Sequence, residues 1–267
     1  MKVGIFDSGI GGLSVLNKVI QYMPQDKFIY YADEKNVPYG EKSREEIIGY
    51  VDEIVKFMIE KQVDAIVIAC NTATSVAVDL MRKKYKLPII GMEPAIKKAI
   101  DLYGDRRVLA AATPVTVTGE KMRCLMEKVD KEHLVDLVPL PQLVRFAERQ
   151  IFNSSEVENY LYESLQQYKF EEYSSIVLGC THFNYFKQCF RKILPSTIHF
   201  IDGIEGTIHR LMQQLKIEGS EAEESIDYSR IPQQVEFYSS GEKLNEQRTQ
   251  HVINAYMKWL YRMEKVQ

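Results

Sequence analysis

The sequence predicts an α/β protein of two pseudo-symmetric lobes, each built on a mainly parallel sheet flanked by helices, with the active site between the lobes. Three observations point there. The apolar run at residues 63–69 delivers Cys70 into the small polar cluster Asn71-Thr72-Ala73-Thr74-Ser75. An echo follows at residues 174–179, where a second β-branched run ends in Cys180-Thr181-His182. Around both, short Val- and Ile-rich runs alternate with amphipathic stretches of helical period, the pattern of a parallel sheet with right-handed crossovers. In open α/β sheets ligands sit beyond the carboxyl ends of the strands, so both cysteines stand where chemistry is usually done.

The elements follow in order. A strand over residues 3–6 is broken by Asp7-Ser8-Gly9-Ile10-Gly11-Gly12 before the amphipathic positions Leu13, Leu16, Val19 and Ile20. This strand, glycine turn and helix place Asp7 and Ser8 at a strand tip, beside the N–H groups of a helix N-terminus. The glycine spacing does not make the G-x-G-x-x-G of a dinucleotide cradle. A strand over 28–31 leads into a loop punctuated by Pro38 and Gly40, and Ser43 with Glu46 forms a capping box for a helix to about residue 60. The Cys70 strand, a helix over 72–85, a strand over 87–91 and a helix from about residue 95 complete the first series. Residues 107–112 restart the pattern, with Thr116 or Thr118 capping a helix that runs to Met126. A strand near 134–138 and two helices, the second opened by the capping box of Ser155 and Glu158, lead to the Cys180 strand.

Beyond Cys180 the pattern predicts an amphipathic helix near 183–193, a strand over 198–202 and a helix over 207–215. Residues 218–225 are polar and acidic and read as a surface loop. A strand near 235–238 and a closing helix carrying Val252, Tyr256, Trp259 and Leu260 are expected to pack onto the first lobe. With Asp7 aligned on Ala112, order and spacing to the cysteine repeat, which predicts a duplicated lobe. The first lobe is residues 1–97 completed by 206–267, and the second is 98–205.

Composition sets the broad class. The 267 residues are 45% hydrophobic and 27% charged, ordinary for a soluble globular chain. With 34 basic against 37 acidic residues the formal charge is -3, which leaves no electrostatic footprint for nucleic acid or an anionic membrane. No stretch reaches the roughly 18 consecutive apolar residues of a membrane helix, and the turn that follows residues 3–6 leads us to expect no signal peptide. The expected location is cytoplasmic, where Cys70, Cys124, Cys180 and Cys189 would be thiols.

Two thiols presented from facing lobes can remove a proton from one face of a carbon and return one to the other. A free cysteine titrates at about pH 8.5, close to the range where acid–base work is effective. Asp7 and His182 are the adjacent proton partners. Ser8, Asn71, Thr72, Thr181 and the Tyr39-Gly40 backbone supply neutral donors suited to a carboxylate-bearing ligand such as an amino acid. Other readings stay open at this point. Cys70, Cys180, His182 and Asp7 could hold zinc, although no C-x-x-C pair is present. His182 could be structural and Asp7 a helix N-cap, while a redox dithiol would need the sulfurs to touch. Cys124 and Cys189 fall inside helical patterns and read as small core residues.

Four stretches together resemble the glutamate racemases of the cofactor-independent aspartate/glutamate racemase superfamily. They are Phe6-Asp7-Ser8-Gly9-Ile10-Gly11-Gly12-Leu13-Ser14, Tyr31-Ala32-Asp33 with Pro38-Tyr39-Gly40, Ala69-Cys70-Asn71-Thr72-Ala73-Thr74, and Gly179-Cys180-Thr181-His182. The resemblance implies interconversion of L- and D-glutamate by a thiolate/thiol pair, with no cofactor such as pyridoxal phosphate and no metal, supplying D-glutamate for bacterial peptidoglycan. It implies that Cys70 acts on the D-enantiomer face with help from Asp7, and Cys180 on the L-enantiomer face with help from His182. It implies substrate contacts from Ser8, Pro38, Tyr39, Gly40, Asn71, Thr72 and Thr181, with Thr113 and Thr116 added and Glu148 as a possible assisting acid. A homodimer is the expected assembly.

The chain departs from the family's commoner pattern in three places. Leu140-Pro141 stands for Cys-Pro ahead of the divergent segment ending in Glu148, Phe183-Asn184-Tyr185 stands for Tyr-Pro-Leu, and Gly91-Met92-Glu93-Pro94-Ala95 stands for Ile-Glu-Pro-Gly. These flank the site and bear on Glu148, the dimer and the choice between housekeeping enzyme and second isozyme. The alternatives are a racemase for aspartate or another small amino acid, and a binding or regulatory protein that keeps the scaffold without turnover.

Overall fold

A computed structural model describes residues 1–92, 95–104, 106–217 and 221–266. Glu93 and Pro94, in the departing segment after residue 91, and residues 218–220 of the acidic loop lie outside the described residues. The first series runs β1 (Lys2–Asp7), α1 (Leu13–Tyr22), β2 (Lys27–Ala32), α2 (Arg44–Glu60), β3 (Ala65–Ile68), α3 (Asn71–Lys84), β4 (Ile89–Gly91) and α4 (Ile96–Tyr103). The second runs β5 (Arg107–Ala112), α5 (Pro114–Thr118), α6 (Glu120–Val129), β6 (Val135–Pro139), α7 (Gln142–Glu148), α8 (Ser155–Leu165), β7 (Tyr173–Leu178), α9 (Lys187–Ile193) and β8 (His199–Ile201). The tail adds α10 (Ile204–Leu215), α11 (Ile231–Gln234), β9 (Val235–Ser239), β10 (Glu242–Lys243), α12 (Glu246–His251) and α13 (Lys258–Glu264).

The duplication is visible in strand order. The first sheet is ordered β10-β9-β2-β1-β3-β4 and the second β6-β5-β7-β8. Strip the tail strands from the first and β2-β1-β3-β4 has the same order as β6-β5-β7-β8, each strand occupying its counterpart's place. All pairs are parallel except β9 with β10. Parallel neighbours need long crossovers, and the helices supply them. Strand β9 lies beside β2, so the tail completes the first sheet.

The period of two along each strand aims the chemistry. In β1, Val3 and Ile5 enter an apolar cluster shared by both halves of the molecule, together with Leu109 and Ile176, whereas Phe6 faces the other way toward Ile47 and Val51 of α2. Asp7 continues the Val3–Ile5 face and so points toward the second half. In β7 the same alternation puts Ile176, Leu178 and then Cys180 into the shared cluster, with Val177 packed oppositely under α4.

Several local details differ from expectation. Ser43 and Glu46 do form the capping box of α2. The cap of α8 is Ser154 rather than Ser155, since Ser154 is extended at φ -144 and its side chain accepts the Val157 N–H at 3.3 Å. Neither Thr116 nor Thr118 caps a helix running to Met126; both lie in α5, and extended Gly119 separates it from α6. The helix expected over 183–193 begins as 3₁₀ turns, Thr181–Phe186, before α9, a tightening common at helix starts. The closing helix does more than cover the first lobe. After a π-helical stretch, Val252–Met257, it accepts the Asn17 amide of α1 at Met257 O (2.8 Å) and donates Trp259 Nε1 to Tyr185 O (3.0 Å), bridging the two halves.

Candidate active site

The carboxyl ends of the two sheets bring the sequence-derived residues together. Cys70 follows β3 and stands at the N-cap of α3, where its sulfur accepts the Ala73 N–H at 3.5 Å and lies 3.7 Å from Ser8 Oγ. Burial, at 5% exposure, pushes its thiol up to about 12, with the Asp7 and Cys180 charges adding to the rise against the Ala73 and Ser8 hydrogen bonds. Helix N-termini lower thiol pKa values, but here desolvation wins. Cys180, at 6% exposure, follows β7 one residue beyond Gly179, and its sulfur lies 3.9 Å from His182 Nδ1.

His182 is 2% exposed and its Nε2 lies 2.6 Å from Glu148 Oε1 at the end of α7. Burial alone would lower the imidazole's pKa. The hydrogen bonds to Cys180 and Glu148, with their negative charges, overcome burial and hold it well above the ordinary histidine range. Asp7 does not cap α1, which follows the N-cap residue Gly12 and has no side-chain cap. Instead, Asp7 Oδ1 accepts the Gly9 N–H at 3.1 Å and Oδ2 accepts the Thr181 hydroxyl at 2.9 Å, reaching from the first sheet's end to the second's. Burial raises its carboxyl against the opposing pull of His182 and these donors.

Three hydroxyls meet where the halves face each other. Thr72 Oγ1 lies 2.9 Å from Thr113 Oγ1 and 3.4 Å from Thr116 Oγ1, and the latter two are 3.0 Å apart. The Pro38–Gly40 loop crosses from the first half to this cluster so closely that a Cβ on Gly40 would sit 2.9 Å from Thr113 Cβ. Asn71 opens α3, and its Nδ2 is buried without a hydrogen-bond partner among the described residues. A cavity of about 340 Å³ adjoins the site at Asn71 and Thr116, lined largely by apolar side chains such as Met92, Ile96 and Met122.

The structure adds residues that carried no role in the sequence. Asp33 is one of them. It accepts the Tyr39 hydroxyl at 2.6 Å and the Asn36 amide at 2.9 and 3.1 Å, which fixes the loop carrying Pro38 and Gly40. Burial and the Asp33 charge push the Tyr39 phenol far above its ordinary range. Arg145 of α7 makes a forked pair with Glu41, Nη2 reaching Oε2 at 2.6 Å and Nε reaching Oε1 at 2.9 Å, and so ties that loop to the second half. Neither pairing has a local sequence signal: Glu41 and Arg145 are far apart in the chain, and Asp33 and Tyr39 lie within one loop that follows no helix or strand period. Among the described residues no three His, Cys, Asp or Glu side chains are grouped so as to hold a metal ion, and no helix is long and apolar enough to cross a membrane.

Comparison with known proteins agrees with this architecture. Residues 9–211 match the family model for Asp/Glu/hydantoin racemases. A glutamate racemase of Lachnospira eligens is 46% identical over 268 residues, covering 100% of both chains, and one of Campylobacter curvus is 54% identical over 221 residues, covering 80% of this chain and 83% of its own. Among solved structures, Escherichia coli glutamate racemase in complex with L-glutamate and the activator UDP-MurNAc-Ala superposes with a TM-score of 0.76 at 27% identity, covering 91% of this chain and 99% of that one. The chain therefore belongs to the Asp/Glu/hydantoin racemase family, among its glutamate racemases, and is an isomerase.

Proposed function

We propose that the protein interconverts L- and D-glutamate by a two-base transfer of the α-proton between Cys70 and Cys180. One observation carries this reading. The two cysteines follow equivalent strands of a repeated sheet order, and each has its own acid–base neighbours, Ser8 and Asp7 for Cys70 and His182 with Glu148 for Cys180. The glutamate assignment is supported by relatives named glutamate racemases and by the bound L-glutamate of the E. coli enzyme.

The chemistry balances without an oxidant. With L-glutamate bound, the Cys180 thiolate takes the α-proton, and the electron pair left on Cα delocalises into the substrate carboxylate. Cys70, kept as a thiol at neutral pH by its burial, delivers its proton to the opposite face and gives D-glutamate. The cycle leaves Cys180 as thiol and Cys70 as thiolate, ready for the reverse reaction or for exchange with solvent. His182, held protonated 3.9 Å from the Cys180 sulfur, stabilises and resets that side, while Asp7 and Ser8 serve Cys70. Ser8, Asn71, Thr72, Thr113, Thr116, Thr181 and the Pro38–Gly40 loop hold the two carboxylates and the ammonium.

In the same reading no cofactor takes part, D-glutamate feeds bacterial peptidoglycan, and the enzyme works in the cytoplasm as a homodimer. The two lobes are residues 1–97 with 206–267, and residues 98–205; the place of β9 and β10 in the first sheet supports this division. The test is direct. Purified protein with L-glutamate in deuterated water loses optical rotation while gaining deuterium at Cα, and Cys70→Ser and Cys180→Ser each collapse turnover. Racemisation that survives either substitution would remove the two-thiol mechanism, and turnover confined to aspartate would reassign the substrate.

A further inference from the structure

We propose that Tyr185 is a positioning residue for the Glu148–His182 pair, acting through the main chain of Ile10. Tyr185 sits in the 3₁₀ segment that follows Cys180, fully buried, and donates its hydroxyl to Ile10 O at 3.0 Å. The N–H of the same Ile10 donates to Glu148 Oε1 at 3.0 Å, and that oxygen also meets His182 Nε2 at 2.6 Å. Ile10 thus carries Tyr185 on its carbonyl and Glu148 on its amide, one in each of the two successive peptide units that meet at its Cα. The preceding carbonyl, Gly9 O, is held by the Tyr30 hydroxyl at 2.7 Å. The glycine turn is therefore pinned from both halves of the molecule, by Tyr30 of β2 and by Tyr185 from beyond β7.

The turn has no slack against the groups it positions. A Cβ on Gly9 would lie 1.9 Å from Glu148 Oε1, and one on Gly11 would lie 2.5 Å from His182 Nδ1. A small displacement of the turn consequently moves Glu148 relative to the imidazole. Tyr185 is itself anchored. Its ring stacks on Phe152 with centroids 4.5 Å apart and planes 16° from parallel, and its carbonyl accepts Trp259 Nε1 at 3.0 Å. The C-terminal helix reaches the proton-transfer machinery by this route. Ile10 O keeps a second donor, the Leu13 N–H at 3.2 Å, so losing the tyrosine hydroxyl displaces the turn rather than stranding a buried carbonyl.

The test is Tyr185→Phe, which retains the stacked ring and hence the fold. The charged groups facing His182 are Asp7 from β1, Glu148 from α7 and Cys180 on its own segment. In the substrate-free protein a ¹⁵N NMR titration of His182 reports the strength of its tie to Glu148, and the variant's imidazole loses its proton at lower pH than the parent's. An unchanged titration overturns the proposal, whatever happens to turnover. A kinetic arm rests on the two-thiol reading. The variant's kcat/KM falls about fivefold, the worth of roughly one hydrogen bond, and falls equally in both directions because the equilibrium between enantiomers is fixed. The α-deuterium isotope effect on kcat/KM rises for L-glutamate and falls for D-glutamate, because only the Cys180 side has slowed. Isotope effects that move equally for both enantiomers overturn the positioning role and leave Tyr185 a purely structural residue. If the parent protein fails to racemise glutamate, the function fails, and the titration still decides the inference.

Discussion

Glu148 Oε1 lies 2.6 Å from His182 Nε2 and 3.0 Å from the Ile10 nitrogen, so a single carboxylate oxygen serves both the imidazole beside Cys180 and the glycine turn beside Asp7. Glu148→Gln preserves shape and removes charge. On the proposed mechanism turnover is expected to fall about 10- to 100-fold, below the usual 100- to 10,000-fold of a direct general acid–base group, because Glu148 would act through His182. The same change alters stability in a pH-dependent way. His182 is raised in the folded state above its unfolded value, so the stabilisation from its partners is complete below about pH 6.5 and is lost as pH rises through the raised value. Melting temperatures of parent and variant therefore differ most near pH 6 and converge at alkaline pH. A difference that is constant with pH would show that the pair does not carry that charge.

Asp7 and Cys70 give a prediction in which reactivity and activity move in opposite directions. Burial is the chief cause of the Cys70 thiol standing at about 12, and the Asp7 charge adds to it. Asp7→Asn removes that charge, lowers the thiol pKa, and speeds alkylation of Cys70 by iodoacetamide at pH 9, each pKa unit recovered multiplying the thiolate fraction by about ten. Racemisation falls at the same time, because the Thr181–Asp7 link between the sheet ends is weakened. Peptide mapping separates Cys70 from the more accessible Cys124. Slower alkylation in the variant would reverse the electrostatic assignment.

How much of this was legible beforehand depends on the range of the interaction. The Cys70 and Cys180 runs carry a local signature, β-branched residues closing on small polar ones, and the alternation Val3, Ile5, Asp7 already sets the face on which Asp7 lies. The restart at Arg107 foretells the repeated strand order because a duplicated lobe repeats its hydrophobic rhythm. Caps one residue apart are harder: Ser154 and Ser155 are chemically equal candidates, and only the extended backbone of Ser154 decides between them. Thr181–Phe186 has the apolar content of a helix, yet the tight approach of Gly11 to Thr181 and His182 coincides with 3₁₀ turns rather than α. The contact of Glu148 with Ile10 joins segments far apart in the chain that only the fold brings together, and that of Asp33 with Tyr39 lies within one irregular loop; neither leaves a period to read.

The Glu41–Arg145 pair joins the Tyr39–Glu41 turn to α7, yet both side chains are well exposed, at 39% and 46%. Exposed pairs contribute roughly 0–1 kcal/mol, so Arg145→Met leaves the melting temperature nearly unchanged. Its expected effect is on the loop that carries Pro38 and Gly40, which the pair holds against the hydroxyl cluster. KM rises severalfold in low salt, and the difference from the parent narrows as salt is raised toward 1 M, where the screening length falls to about 3 Å. A KM difference that does not change with salt would mean that the guanidinium acts by packing rather than by charge.

Asn71 separates ligand binding from stability. Its Nδ2 is buried with no hydrogen-bond partner among the described residues, and an unmade buried hydrogen bond costs about 1–3 kcal/mol. The residue also occupies the first position of α3, where alanine is a good helix former. Asn71→Ala therefore leaves the unliganded protein as stable as the parent or more so. On the proposed function a substrate carboxylate meets this donor, and the variant's KM is then expected to rise about tenfold, the equivalent of one hydrogen bond to a charged group. Ligand linkage makes the two effects readable in one experiment, because stabilisation by glutamate grows with the ratio of its concentration to Kd. Melting curves with and without glutamate should show the parent gaining much more than the variant, with the unliganded variant at or above the unliganded parent. Equal gains in the two proteins would place the Asn71 amide outside the substrate's reach, and a less stable unliganded variant would mean that its carboxamide already serves the fold.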